Sequence, residues 1–580
     1  MINCKYFYNL SVTIIGIVTS VFLLTTVGGL FHIPVNTFYV LIPFAGGLYY
    51  LKKQSPENID FLKQFLILLI IVFVSYILAI SVWDSSSDGR WYHAATLIMY
   101  KNGWLPVYQN YHDFAAACNV HPSSAFWGNC YLHFAEIIGA NIYKITNLIE
   151  STKTTNFIIL SAVFFYSYSV LSIFKSKNKF LPFLCSLIII LNPVVICQWF
   201  TNFIDLHIYF AFTLIVLTII KTELQKTADK TDLFMFVCSA LMLAMTKLTG
   251  CMYLFLICSI YMIYLFILKR NIRKYIKTVL VIGGLIAVTG VNPFFTNLRD
   301  YGNPFYPIFG KNNIEIINNI PLNFEKMPAA ERFFRSTFSE SLHSMNNTDI
   351  QEYIRPAELK IPFTVNIKSS ANLFCYSDMR IGGFGYFWSG ILFLSLIFLP
   401  FIRFRNSNEK YLFLLITSII LLTTFSNPHC WWARFIPQFW LFPLFIIFFG
   451  LLQKNYKNNF SAVFKLFLLY ATVFSFIINS GIIIFQNTDF NISISNMLKK
   501  PYKYTDFNKK PRKILLMVKP DNKKSSDETI IPHLEEFYGK ENIIFVSYEE
   551  NKINSENFIP IQYIYVLNEP YYFFKEVINY

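Results

Sequence analysis

Charge is what this sequence has least of. Asp, Glu, Lys and Arg together make up 14% of its 580 residues, where soluble domains carry about a quarter. No hydrophilic stretch of domain size occurs before roughly the last hundred residues. The chain has no P-loop or other ATP motif, no zinc-type spacing of cysteine and histidine, no internal repeat and no low-complexity tract. Neither ATP hydrolysis nor a structural zinc is therefore written into it. Cysteine is sparse and says little. Five of ten (Cys185, Cys197, Cys238, Cys251 and Cys258) fall in or beside apolar runs, where a small apolar residue is the ordinary reading. Cys118 with Cys130, and Cys375 with Cys430, are pairings that an oxidising compartment would allow.

What the chain has instead is apolar residues, 54% of the total, with a mean hydropathy of +0.44. They come in runs of about 20 residues, the length that crosses a bilayer at 1.5 Å per residue. The pattern predicts 13 spans, at about 10–30, 36–51, 62–83, 155–174, 180–200, 203–220, 232–247, 249–268, 276–292, 384–402, 410–426, 434–452 and 462–486. No small-residue cleavage site follows the first run and further apolar runs come at once, so it reads as a span, not a removable signal. Every second connection is basic. The set holds Lys52, Lys53 and Lys63, then Lys175, Lys177 and Lys179, then Lys221, Lys226 and Lys230. It continues with Lys269, Arg270, Arg273, Lys274 and Lys277, then Arg403, Arg405 and Lys410, then Lys454, Lys457 and Lys465. Basic loops belong in the cytoplasm, here with the N-terminus. The net charge of +15 is thus mostly a topology signal, and no nucleic-acid partner is expected.

The expected fold is an all-α polytopic membrane protein of about 13 transmembrane helices with a small extracytoplasmic C-terminal α/β domain. Residues 1–83 hold the N-terminal spans, and 84–154 a first extracytoplasmic loop with amphipathic helices. Residues 155–292 hold the central spans, 293–383 a second such loop and 384–487 the C-terminal spans. Within 488–580, Lys513 to Val518 alternates like a strand, Asp527 to Tyr538 reads as a short helix, and Ile543 to Val546 and Ile561 to Val566 as further strands. That tail carries no nucleotide-binding glycine pattern and reads as a packing or partner-contact domain.

The polar motifs gather on the extracytoplasmic side. The first loop opens Trp83-Asp84-Ser85-Ser86-Ser87-Asp88-Gly89-Arg90-Trp91-Tyr92-His93, and a helical stretch follows to about Asn102. Asp88 and His93 are close to one helical turn apart and can face one cleft. The bland alternative is that Ser87 or Asp88 only caps the helix. Further on, Asp113 is a candidate cleft residue, while His112 and His121 read as solvated loop histidines. Asn192-Pro193 breaks a helix near its outer end, with Gln198 and Asp205 beyond it. A carboxylate at that depth is costly unless paired or facing water, which makes Asp205 a candidate. Lys247, Arg380 and Arg434 stand at outer span ends against the charge rule, and such cations invite an anion; a guanidinium can grip a phosphate with two parallel hydrogen bonds, while a lysine that snorkels to water explains Lys247 as well and a structural ion pair explains Arg434 as well. The paired Trp431-Trp432 reads as an interfacial aromatic belt. Asn292-Pro293 and Asn303-Pro304 read as turns that hold shape, and Glu331, Arg332 and Arg335 as an amphipathic helix.

This layout resembles the GT-C superfamily of integral-membrane glycosyltransferases. The strings Asp88-Gly89-Arg90-Trp91-Tyr92-His93, Gly103-Trp104-Leu105-Pro106-Val107-Tyr108, Asn303-Pro304-Phe305-Tyr306-Pro307 and Trp431-Trp432-Ala433-Arg434-Phe435-Ile436-Pro437-Gln438 look like those of a group of bacterial multi-pass proteins with the same architecture. The likeness covers residues 1–490 or so. It implies sugar transfer from a polyprenyl-phosphate or polyprenyl-pyrophosphate donor to a glycan, lipid or protein acceptor, outside a bacterial inner membrane. In such enzymes an acidic residue of the first outer loop is the general base. Asp88 matches that position best, with Asp84 in reserve and His93 beside them. Arg434, Arg380 and Lys247 would bind the donor phosphate, and Arg90, Tyr92, Asp205 and Asp113 would line the cleft. Some members use a divalent cation, but Asp84 and Asp88 are four apart and lack the tighter Asp-x-Asp spacing, so the metal stays unassigned. The departure is that this loop follows the third predicted span, whereas in the family it usually follows the first.

Two other classes stay open. A polysaccharide polymerase or ligase of the O-antigen type would rely on arginines and a histidine in the outer loops. A lipid-linked-sugar flippase predicts mid-span charges and repeated halves, and the sequence has almost none of the first and none of the second.

Overall fold

The computed structural model describes residues 4–86, 88–118, 120–174, 180–270, 272–310, 313–314, 320–324, 326–341, 356–365, 374, 377–452, 460–503, 514–518, 543–547, 558–566 and 569–574. It is a multi-pass membrane protein built of helices. In chain order these are α1 (Cys4–Leu30), α2 (Phe38–Gln54), α3 (Asn58–Ser81), α4 (Ala94–Lys101), α5 (Tyr111–Ala117), α6 (Pro122–Cys130), α7 (Phe134–Thr146), α8 (Thr154–Ser172), α9 (Phe180–Ile190) and α10 (Pro193–Gln198). They continue as α11 (Asp205–Gln225), α12 (Lys230–Thr246), α13 (Leu248–Ile267), α14 (Arg273–Thr289), α15 (Thr296–Tyr301), α16 (Ala329–Phe338), α17 (Trp388–Phe398), α18 (Ser407–Phe425), α19 (Leu441–Leu451) and α20 (Phe460–Lys503).

Among the described residues seven helices are long and apolar enough to cross a membrane: α1, α3, α8 with its 3-10 lead-in, α11, α13, α18 and α20. An eighth follows if α14 and Val291–Tyr301, bent by 66°, are one span. The other expected spans are shorter. α2 and α12 have 17 residues each, and α9, α17 and α19 have 11. Proline accounts for three of these, because it lacks the N–H that an interior helical position must donate. Pro193 restarts the chain as α10, Pro400 sits in the 3-10 turn that ends α17, and Pro437 opens the turn before α19.

α11 lies at the centre, with 94% of its apolar window buried, and α3 at the rim, with 22%. α3 turns Leu66, Ile70, Phe73 and Val74 outward, as a lipid-facing helix must. Lipid tails are as apolar as leucine, so the helices are held by close packing and hydrogen bonds, not by the hydrophobic effect. Ser11 Oγ donates to Ala162 O (2.9 Å), Tyr166 and Thr218 share a hydroxyl bond (2.9 Å), and Tyr209 and Trp440 donate to Ile189 O and Ile188 O (2.7 and 2.9 Å).

The last helix runs further than expected, past the boundary at 487 to Lys503. Its polar residues hold the start of the first loop: Ser495 Oγ accepts from Trp83 N (2.8 Å), and Asn491 Oδ1 from Ser85 Oγ (2.9 Å). Beyond it four strands are described, β1 (Ile514–Val518), β2 (Ile543–Ser547), β3 (Phe558–Val566) and β4 (Glu569–Phe574), in the order β2-β1-β4-β3. β1 and β2 are parallel and the other neighbours antiparallel. The helix expected over Asp527 to Tyr538 lies outside the described residues, as do Ser87 and Cys375. Cys118 and Cys130 are separate free thiols, so the disulfide that spacing allowed is not formed. Burial in an apolar setting pushes the Cys130 thiol up to about 12.

Candidate functional site

Arg434 is the hub. It lies in a one-turn 3-10 segment, Ala433–Phe435, just ahead of α19. Its guanidinium meets three carboxylates from distant parts of the chain: Asp88 Oδ2 at 3.3 Å, Asp378 Oδ2 at 3.2 Å and Asp205 Oδ2 at 3.6 Å. Three aromatic rings flank it, Phe203 at 5.1 Å, Trp432 at 5.0 Å and Phe435 at 5.4 Å. Two more cations complete the cluster. Lys247 Nζ is 2.7 Å from Asp205 Oδ1, and Arg380 Nε is 3.9 Å from Asp378 Oδ2. Three acids thus face three bases, a balance that a low-dielectric site requires.

Local structure places each group. Lys247 is the single extended residue (φ −156°, ψ 148°) between α12 and α13, so its side chain leaves the helical stack and reaches Asp205 at the head of α11. Gln198, ending α10, donates to Asp205 Oδ2 (3.1 Å) and accepts from Leu206 N (3.1 Å), which locks that head in place. Asn192 caps α10 by accepting from Val194 N and ties it to Pro437 O, next to Arg434. Trp432 donates its indole N–H to Asp378 Oδ1 (2.7 Å) while Arg380 stacks on its ring at 4.1 Å. The paired tryptophans are buried, 2% and 4% exposed, so they are not a belt in the membrane interface; Trp432 is a wall of this site and Trp431 stacks on it at 5.4 Å.

Asp88 stands apart from the other two acids in exposure. Its side chain is 22% accessible, against 2% for Asp205 and 10% for Asp378. It precedes a π-helical turn, Gly89–His93, but makes no capping hydrogen bond, so the cap reading fails for it. Loss of solvent and the charge of Asp88 hold the Tyr92 phenol protonated far above the usual tyrosine range, with Tyr131 raised in the same way. Burial pulls Arg380 below the ordinary arginine value, with Asp378 opposing, and a guanidinium remains charged at neutral pH regardless.

The remaining expected residues are placed elsewhere. Asp84 is buried and occupied: one oxygen accepts from Ser86, the other from Asn202 N (2.7 Å) and Nδ2 (3.1 Å). It clamps the first loop to the turn before α11. Gly89 packs on this clamp so closely that a Cβ there would lie 2.4 Å from Asp84 Oδ2. His93 is 1% exposed and points away to Glu136 Oε1 at 2.5 Å. Burial works to raise the Glu136 pKa, but the hydrogen bond and charge of His93 together hold it below the usual carboxylate value. Arg90 donates to Ser86 O and Ser85 O, and Asp113 is exposed beside His112. Asp378, Gln198, Trp432 and Glu136 were not among the expected site residues. Two of them carried a signal: Asp378 as a carboxylate two residues before an arginine at a span mouth, and Gln198 as a polar residue beyond a helix break and close to Asp205.

A divalent cation would need carboxylates pointing at an empty centre. Here the point where three of them converge is filled by the Arg434 guanidinium, and among the described residues no group of three or more His, Cys, Asp or Glu is placed to hold a metal. The donor set suits a fixed organic cation. Asp88 can take a proton at its accessible edge, and Arg434, Arg380 and Lys247 can balance an anion. No protein-family model matches the chain, and no curated protein matches it.

Proposed function

We propose that the chain is a membrane glycosyltransferase that moves a sugar from a polyprenyl-(pyro)phosphate donor to an acceptor on the extracytoplasmic face of a bacterial inner membrane. The observation that carries this reading is one accessible carboxylate, Asp88, sharing a cluster with three cations at the ends of membrane helices. In the proposed reaction the acceptor hydroxyl attacks the anomeric carbon, its proton passes to Asp88, and the lipid phosphate leaves. A positioned base contributes about 10²–10⁴-fold, and cations fixed in a partly dry site stabilise the leaving phosphate. Since the cluster is already neutral, an arriving phosphate competes with a carboxylate for Arg434. Asp88, the most accessible of the three, is the one displaced, so donor binding frees the base.

The same reading takes the chain through thirteen crossings, with the N-terminus cytoplasmic and the tail extracytoplasmic. What supports the count is where the short helices lead. α12 runs from Asp232, bound to Lys221 at one end, to Lys247, which meets Asp205 at the other. α2 runs back from the end where Leu30 O accepts from Tyr108, towards Lys52, which bonds Asn58 at the foot of α3. The centrality of Arg434 also favours the polymerase or ligase reading, which relies on arginine.

The test is complementation of a strain lacking the gene, comparing surface glycans by gel and mass spectrometry. Asp88→Asn is expected to abolish one sugar addition while the protein stays folded and inserted. Loss with Arg434→Ala but not with Asp88→Asn would favour the polymerase or ligase. Unchanged glycans with both variants would overturn the site.

A further inference from the structure

A second chamber lies at the opposite, basic end of the bundle, away from the Arg434 cluster. It is a cavity of about 590 Å³ enclosed by α11, α12, α13 and α14, a volume in the usual range for small-molecule sites. We infer that it binds the phosphate headgroup of an anionic glycerophospholipid, with the first part of an acyl chain below.

Its walls change character with depth. The mouth holds Lys226, Arg270 and Lys274, and the inner wall holds Phe236, Leu265 and Tyr275. Along α11 and its C-terminal cap the lining runs from Thr218 to Lys226, about 12 Å at 1.5 Å per residue. A polar mouth over an apolar floor suits an amphiphile, whereas a free phosphate would use only the mouth.

The charge at the mouth is positive after internal pairing. Glu223 is satisfied by Arg270 (2.5 Å) and the hydroxyls of Tyr261 and Tyr264 (2.9 and 3.0 Å). Asp232 is satisfied by Lys221 and by the Tyr8 hydroxyl (2.9 Å). Among the described residues neither Lys226 nor Lys274 has a carboxylate at ion-pair distance, and Lys274 only donates to Ala228 O. Two cations without a carboxylate partner therefore remain for a ligand. With Asp229 sharing Lys221 at 3.6 Å, this end keeps one net positive charge, from Lys221, Lys226, Arg270 and Lys274 against Glu223, Asp229 and Asp232. The flanks face lipid, since Phe234 on α12, Phe266 and Ile267 on α13, and Ile276 and Leu280 on α14 are all exposed. Basic pockets between transmembrane helices are where anionic headgroups collect. This inference does not depend on the glycosyltransferase reading.

The experiment uses the full chain in neutral detergent, titrated with dioleoylphosphatidylglycerol, dioleoylphosphatidylcholine or inorganic phosphate, with binding read by native mass spectrometry and melting temperature. Phosphatidylglycerol is expected to bind and raise the melting temperature, and phosphatidylcholine to do neither. Removing both cations in Lys226→Gln/Lys274→Gln should weaken phosphatidylglycerol binding by on the order of tenfold. The double variant should melt like the parent without lipid, because both side chains are solvent-facing. A bulky Thr278→Trp on the inner wall should weaken the lipid as well. Equal binding of phosphatidylcholine, an undiminished titration in the double variant, or a shift reproduced by inorganic phosphate alone would each overturn the inference.

Discussion

At the scale of single residues the Arg434 cluster separates charge that holds the fold from charge that is free to react. Arg434 is 13% accessible and touches three acids, so Arg434→Ala would leave Asp205 and Asp378 short of a buried cation. Breaking such a buried pair costs about 3–5 kcal/mol. Asp88→Asn removes the most accessible of the three acids and leaves Arg434 paired with Asp205 and Asp378, so it costs less. Thermal melts of the purified variants should therefore fall sharply for Arg434→Ala and less for Asp88→Asn; equal losses would make Asp88 a structural residue. Gly89→Ala is expected to cost about 1–3 kcal/mol through overpacking on the Asp84 clamp, which the same melts would report. Asp88, Asp205, Lys247, Arg380 and Arg434 were legible because a charge at a span end demands an explanation. The role of Trp432 was not, since what makes it matter is contact with a residue far along the chain: it lies 54 positions from Asp378.

At the scale of elements, the first outer loop is a small helical layer held together by buried polar pairs. α4 and α7 are joined through His93 and Glu136, and α4 to the start of α7 again by Tyr100 with His133 (2.9 Å). The Glu136 pKa is lower in the folded chain than in the unfolded one. Its contribution to stability is thus present above the ordinary carboxylate pKa and is lost as pH falls through the folded value. Wild type should lose more melting temperature than Glu136→Gln as pH falls from about 5 to about 3, the range below the ordinary carboxylate pKa. A parallel decline in both would show that Glu136 is not the acid-sensitive tie. The proline break at Pro193 was readable in advance and behaves as its sequence suggests, whereas the spans expected at 384–402 and 434–452 ran through Pro400 and Pro437, where the helices are cut short. The true end of α20 was hidden, because Asn487, Asn491 and Ser495 stop the apolar signal. Those polar residues stay helical with their side chains turned inward, buried against neighbouring backbone and the loop at 83–85.

At the scale of the whole molecule, apolar length alone undercounts the passes. A 17-residue helix spans about 26 Å at 1.5 Å per residue, short of a typical hydrocarbon core of about 30 Å yet within reach of local thinning. Whether α9 with α10 counts as a crossing decides the relation between two exposed positions, Asp113 and Thr227. Three crossings separate them if the broken segment α9–α10 spans the bilayer alongside α8 and α11. Two separate them if only the long helices do, as the count by length and composition has it. Cysteines introduced singly at 113 and 227 can be reacted in intact cells with a membrane-impermeant maleimide, over the background of the parent protein. The thirteen-pass arrangement requires Asp113→Cys to react in intact cells and Thr227→Cys only after permeabilisation. Reaction of both from the same side would remove the broken segment from the list of crossings. Protection of Asp113→Cys in intact cells would move the Arg434 cluster off the extracytoplasmic face, because no span separates Asp113 from Asp88, and with it the proposal that the cluster meets a lipid-linked sugar there.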